Sequence, residues 1–238
     1  MKSKSLLIAH RGASADAKEN TLEAFKLAFV QGADGIEADF LLTTDRKIIA
    51  FHDLNTQRLL GTQSRTKCLN LSEIRKLSSY HIPELKEVLA CLPKGKKLII
   101  ELKCGRQIEQ ELMQILRASQ IPIENVTVIS FRLPTLIRLR ELCPKIEILW
   151  IRKFRMSQGI RKPNLIEIKK IIEKYNFDGI SANASHIDQE FIQTFKQGKI
   201  NCWTVDSPKR FQELTELACH SISSNCPGLI REQLKDLK

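Results

Sequence analysis

The stretch 5-SLLIAHRGASADAKENTLEAFKLAFVQGADGIEADF-40 reads as a strand, a helix and a second strand. An apolar run at 6–9 ends at His10. Asn20 then stands where a helix cap belongs, with Glu23 at the third helical position in a variant of the capping box. Leu22, Phe25, Ala28 and Phe29 follow helical spacing, and Gly32 stops the helix. The run 35–40 supplies the next strand. Two strands joined through a helix form a βαβ unit, the building block of a parallel sheet.

The same alternation continues to the end of the chain. Further β-like runs lie at 47–51, 97–102, 125–130, 146–151, 178–182, 200–205 and 220–224, and helical patterns at 70–77, 83–92, 107–119, 133–142, 165–175, 188–198 and 208–218. Eight or so such units over 238 residues predict a (β/α)8 TIM-type barrel as a single domain spanning 1–238, with a doubly wound sheet as the alternative. Nine runs for eight places predict one surplus run, near 178–182 or among the last two. One connection is odd, because LLTTDR at 41–46 is too short for a crossover helix. If both flanking strands belong to one parallel barrel, that link returns as extended chain.

Composition narrows the function classes. Hydrophobic content of 42% and charged content of 27% are those of a soluble globular protein, and no apolar run approaches a membrane span. The basic residues at 1–4 precede only four apolar residues, which does not fit a signal peptide. Seven cysteines, odd in number and never spaced as Cys-x-x-Cys, predict reduced thiols in the cytoplasm rather than disulfides or a zinc site. The net charge of +11 fits a field that attracts a small anionic substrate. Few aromatics and no recognisable motif argue against nucleic acid, and the basic cluster 152-RKFRMSQGIRK-162 reads as solvated surface.

Parity locates the chemistry. In 36-IEADF-40, Ile36, Ala38 and Phe40 share one face, and Glu37 and Asp39 the other. A barrel packs its outer face against helices, so that face is apolar and the two carboxylates point inward. Glu101 and Lys103 alternate with Ile100 and Leu102 in the same way, and 48-IIAFH-52 places Ile48, Ala50 and His52 on one face. These polar groups sit toward the C-terminal strand ends, where barrel enzymes build their sites. Three carboxylates at one mouth repel unless a cation neutralises them. Oxygen-only ligands predict one divalent cation, Mg²⁺ or Ca²⁺, rather than zinc. The competing explanation is a structural network in which the acids merely pair with Arg11 and Lys103. His10 and His52 at the same mouth can exchange protons with reacting oxygens, and fixed cations can stabilise a phosphoryl group. The set points to phosphate-ester chemistry.

The ordered motifs HRG at 10–12, ENT at 19–21, GADGIEADF at 32–40, FHD at 51–53, IPELKEVL at 82–89, IELK at 100–103, SF at 130–131 and WTVD at 203–206 closely resemble the glycerophosphodiester phosphodiesterase family over nearly the whole chain. The resemblance implies hydrolysis of a small-molecule glycerophosphodiester, such as glycerophosphocholine or glycerophosphoethanolamine, to glycerol 3-phosphate and an alcohol. It implies His10 and His52 as the acid/base pair and Glu37, Asp39 and Glu101 as metal ligands. Arg11 and Lys103 become phosphate contacts, Glu19 and Asn20 shape the first loop, and Trp203 lies on the substrate side. The segment 53–80 matches a small insertion after the third strand. The implied route is attack by a neighbouring glycerol hydroxyl, a cyclic phosphate, and its opening by water. Lysophospholipase D-type cleavage, with an apolar entrance beside Trp203, and non-catalytic binding of anionic lipid or phosphometabolites are the alternatives. Two departures stand out: Thr44-Asp45-Arg46 lacks the family's glycine, and Asn225 in 222-ISSNCP-227 replaces an acid. Oligomeric state is not legible.

Overall fold

The computed structural model describes residues 5–105 and 107–234; the basic stretch 1–4 lies outside them. Among the described residues the strands are β1 (Leu6–His10), β2 (Gly35–Leu42), β3 (Ile48–Ala50), β4 (Lys97–Leu102), β5 (Val126–Ser130), β6 (Glu147–Arg152), β7 (Arg155–Ser157), β8 (Ile160–Lys162), β9 (Gly179–Asn183), β10 (Lys199–Trp203) and β11 (Ser221–Ser224). Eight of these close a parallel ring in the order β1-β2-β4-β5-β6-β9-β10-β11, with β11 back against β1.

The surplus run is the third, not one near 178–182 or the C-terminus. Strand β3 pairs antiparallel to the outer end of β2, Leu42 opposite Ile48 and Phe40 opposite Ala50, and stays outside the ring. Five residues between the two strands suffice for a hairpin but not for a parallel crossover. The link therefore turns back on itself rather than returning as extended chain. Thr43 N–H donates to the Lys47 carbonyl at 3.0 Å, and Arg46 takes φ +59° where the family resemblance led to a glycine. Arg46 is held there by Glu111 and Gln107. At the other suspected position, Gly179 explains why β9 belongs in the ring. A Cβ there would meet the Lys199 carbonyl oxygen at 1.9 Å, so only glycine lets β9 and β10 approach.

The parity reading of the ring strands holds. Leu7, Ala9, Ile36, Ala38, Phe40, Leu98, Ile100, Val128, Ile148, Ile180, Ile200 and Ile222 form the layer between ring and helices. The helices supply the other half of that layer. In Ile108–Ala118 the buried Ile108, Leu112, Met113 and Leu116 repeat at helical spacing, and each such side chain contributes about 1.5–3 kcal/mol on burial. Inside the ring, Ile8, Ile99, Ile129, Leu149 and Ile151 pack as an apolar plug. Beside them Asn201 is held by Ser181 and Ser221 at 2.9 and 2.8 Å.

Two local expectations change. Thr21, not Asn20, caps the helix Leu22–Val30, its hydroxyl accepting from Ala24 N–H. Asn20 instead takes φ +57° and turns its side chain toward β2. On β3, Ile48 and Ala50 face the outer layer, and His52 lies past the strand end rather than on an inward strand face. What brings it to the mouth is the bond from Phe51 N–H to the Asp39 carbonyl, 2.9 Å. The segment that follows carries short helices at Gln57–Leu60 and Leu71–Leu77, and Leu71 and Ile74 share a separate apolar cluster with Leu41, Ile49, Phe51 and Ile82. Of the basic stretch 152–162, Arg152 ends β6 and residues 155–162 form the β7–β8 hairpin, with Arg161 paired to Asp188 and Glu190.

Candidate active site

The C-terminal ends of the ring strands enclose a cavity of about 210 Å³ whose lining includes His10, Arg11, Glu37, His52, Glu101, Lys103 and Trp203. Asp39 lies beneath it, fully buried. His10 ends β1 and pairs in register with Glu37 on β2, so the two side chains emerge side by side. The chain then turns sharply, with Arg11 at φ +58° and Gly12 at φ +81°. A Cβ on Gly12 would lie 2.6 Å from the Ala24 backbone, which makes glycine obligatory where the loop folds onto the first helix.

The acids are tied down by cations. Lys103 Nζ lies 2.9 Å from Asp39 Oδ1 and 2.5 Å from Glu101 Oε1, and Arg11 Nε lies 3.0 Å from Asp39 Oδ2. Asn20 donates Nδ2–H to Asp39 at 2.9 Å and accepts Asp39 N–H at 3.1 Å. Arg11 N–H donates to Glu37. Glu19 accepts from Arg11 at 3.0 Å and from Arg58, which also donates to Asp53 at 2.6 Å.

Both imidazoles present the same edge. Asn225 Oδ1 accepts from Ser14, while its amide donates to Asp206 at 2.8 Å, so the amide orientation is set and His10 Nδ1 must donate to it, at 2.8 Å. His52 Nδ1 donates to the Asp53 carboxylate at 2.6 Å. In each ring Nε2 is the nitrogen left for the cavity; in His10 it lies 3.9 Å from Glu37.

The charges follow from burial and these partners. Burial alone raises Asp39, but Lys103 and then Arg11 outweigh it and bring its pKa to about 2. Burial, reinforced by the Asp39 charge, pushes Glu37 up to about 8 and Glu101 to about 7. Burial lowers both histidines; Arg11 adds to this for His10, and Asp39 opposes it for His52. Burial would discharge Lys103, yet Asp39 and Glu101 raise its pKa.

The donor set fits a hard divalent cation. Glu37, Asp39 and Glu101 bring carboxylate oxygens within 4.8 Å of one another. Glu37 Oε1 is buried with no hydrogen-bond partner, a vacancy in its bonding that a cation would satisfy. Two of the three acids are raised by mutual repulsion and burial, which a positive charge would relieve.

The sequence profile of the glycerophosphoryl diester phosphodiesterase family matches residues 10–229. The chain belongs to this family. It is 31% identical to YhdW of Bacillus subtilis strain 168 over 94% of this chain and 96% of that protein. It is 29% identical to a glycerophosphodiester phosphodiesterase of Caldanaerobacter subterraneus, over 94% and 95%. Its fold is similar to that of an Oleispira antarctica phosphodiesterase solved with the product sn-glycerol-3-phosphate, with a TM-score of 0.82, 22% identity and coverage of 98% and 97%. The chain is accordingly an enzyme, a glycerophosphodiester phosphodiesterase. Among the described residues no helix is long and apolar enough to cross a membrane.

All ten residues singled out in the sequence come together around this mouth, Glu19 and Asn20 through the contacts above. Sequence reading missed Arg58, Asp206, Ser14 and the bonding of Asp53 and Asn225. Asp53 is the third residue of FHD, Asp206 the last of WTVD, and Asn225 stands at a noted departure, so all three carried a signal without a partner. Beside Trp203 the apolar lining is Ile129 and Phe131, with Phe131 edge-on at 6.4 Å and Lys153 over its ring.

Proposed function

We propose that the protein is a metal-dependent hydrolase of glycerophosphodiesters such as glycerophosphocholine and glycerophosphoethanolamine, releasing glycerol 3-phosphate and an alcohol. The observation that carries this reading is the pair of imidazoles lining one small cavity with Glu37, Glu101 and two fixed cations, above a third, buried acid, Asp39.

In the first step a glycerol hydroxyl beside the phosphodiester attacks phosphorus and the alcohol departs, leaving a cyclic phosphate. One histidine accepts the hydroxyl proton at Nε2 while the other donates a proton to the leaving oxygen; opening of the ring by water reverses the two roles. A cavity of about 210 Å³ confines the glycerophosphate and aligns its own hydroxyl with phosphorus. Arg11 and Lys103 supply the positive charge that orients the phosphoryl oxygens. Glu37, Asp39 and Glu101 would hold one Mg²⁺ or Ca²⁺, whose chemistry is to offset negative charge gathering on the phosphoryl group. Seven free thiols fit a reducing, cytoplasmic setting.

Incubation with glycerophosphocholine and enzymatic detection of glycerol 3-phosphate tests the reading. His10→Ala should lower turnover by at least about 10²-fold with an unchanged circular dichroism spectrum. Near-normal activity in that variant would sink the assignment.

A further inference from the structure

A second cavity, roughly three times larger at about 650 Å³, adjoins the first, and Lys103 lines both. It runs between the segment after β3 and the loops that follow β4 and β5. Leu41, Leu42, Leu54 and Cys104 contribute its apolar lining. Its charged lining consists of cations alone, Arg46, Arg65, Lys67, Arg132 and Lys103. Two of these are already committed, Arg46 to Glu111 and Lys103 to Asp39 and Glu101. Arg65, Lys67 and Arg132 form no ion pair among the described residues. The backbone beneath the first two, both exposed, is held in place, and the third packs its guanidinium on a loop. Arg65 pairs through its backbone with Asn55, Lys67 sits in the turn Thr66–Cys68, and the Arg132 guanidinium lies across Gly105, 3.3 Å from where a Cβ would stand.

Three cations spared from acids and lining a groove that shares Lys103 with a phosphodiester site call for an anion on the same substrate molecule. The smaller cavity has room for the glycerophosphate; the groove is the adjoining space for the other half. Resting on the function proposed above, we propose that the groove receives the alcohol half of the diester and selects alcohols that themselves carry a phosphate. A choline or ethanolamine leaving group, being cationic, gains nothing from Arg65, Lys67 and Arg132.

The test compares kcat and KM of the wild type, the double variant Arg65→Ala/Lys67→Ala and Arg132→Ala on four diesters. Bis(glycerophospho)glycerol and glycerophosphoinositol 4-phosphate carry the second phosphate on different alcohols; glycerophosphoglycerol and glycerophosphocholine lack it. The two phosphate-bearing substrates should show the higher kcat/KM in the wild type. Each variant should raise KM for them by about tenfold, with kcat unchanged and glycerophosphocholine within about twofold. Raising salt from about 0.05 to 0.5 M should reproduce the same loss in the wild type. A benefit confined to one phosphate-bearing alcohol would show that the groove reads that alcohol rather than the phosphate and would overturn the proposal. So would equal KM ratios in wild type and variants. Turnover of none of the four would instead strike the underlying phosphodiesterase reading.

Discussion

His10 and His52 face the same cavity, yet one hangs from a ring strand and the other from a loop outside the ring. His10 is backbone-paired through β1 and β2, and its ring nitrogen meets a neutral amide that Asp206 and Ser14 hold in place. His52 meets a carboxylate, Asp53, that belongs to a charged relay through Arg58 and Glu19 to Arg11 and finally Asp39. The first arrangement is built from groups tied to strand ends, the second from ion pairs with one half-exposed member, Arg58. The difference is one of control. The barrel side fixes position, while the loop side fixes charge and couples it to the buried acids.

The strongest way to break the comparison is to disturb what the two halves share, the acid cluster. Chelation followed by buffer exchange should lower glycerophosphocholine turnover by on the order of 10³-fold, and Mg²⁺ or Ca²⁺ should restore it. Full activity in chelator would leave the acids as a structural network with Lys103 and Arg11.

Asn20 probes the barrel half. It makes two bonds to a buried carboxylate residue and sits at φ +57°, a conformation alanine disfavours. Asn20→Ala should therefore lower unfolding free energy by about 2–3 kcal/mol in urea titration. Asn20→Gly relieves the backbone while still deleting the amide, and should lose less. Equal losses in both would show that the amide, rather than the left-handed backbone, accounts for the whole effect.

Much of this was written locally in the chain. The inward acids follow from the period of two in 36–40, because a ring buried on both faces leaves no other place for Glu37 and Asp39. The ejection of β3 is not legible in the sequence: the short link after the second strand is odd, but it reads as returning in extended chain, and the surplus run is expected near 178–182 or the C-terminus. What decides for a hairpin is the pairing of Leu42 with Ile48. Asn20 and Thr21 are both good caps, and propensity does not separate them; the choice is made by Asp39, nineteen residues away. Asn225 finds His10 across 215 residues. A side chain's partner at that distance is a property of ring closure, which periodicity predicts without giving the register.

The last contrast is between an amide and a carboxylate behind two otherwise similar rings. Asp53 favours the charged form of His52, so Asp53→Asn should lower the His52 pKa. In a bell-shaped profile of kcat/KM the limb belonging to His52 should move to lower pH by about one unit, and the other limb should stay. Movement of the acidic limb would identify His52 as the residue that must be neutral in the first step. Movement of the alkaline limb would identify it as the one that must carry the proton, leaving His10, with its neutral partner, as the base. If neither limb moves, the carboxylate does not govern the charge of His52, and the distinction drawn between the two halves of the site fails.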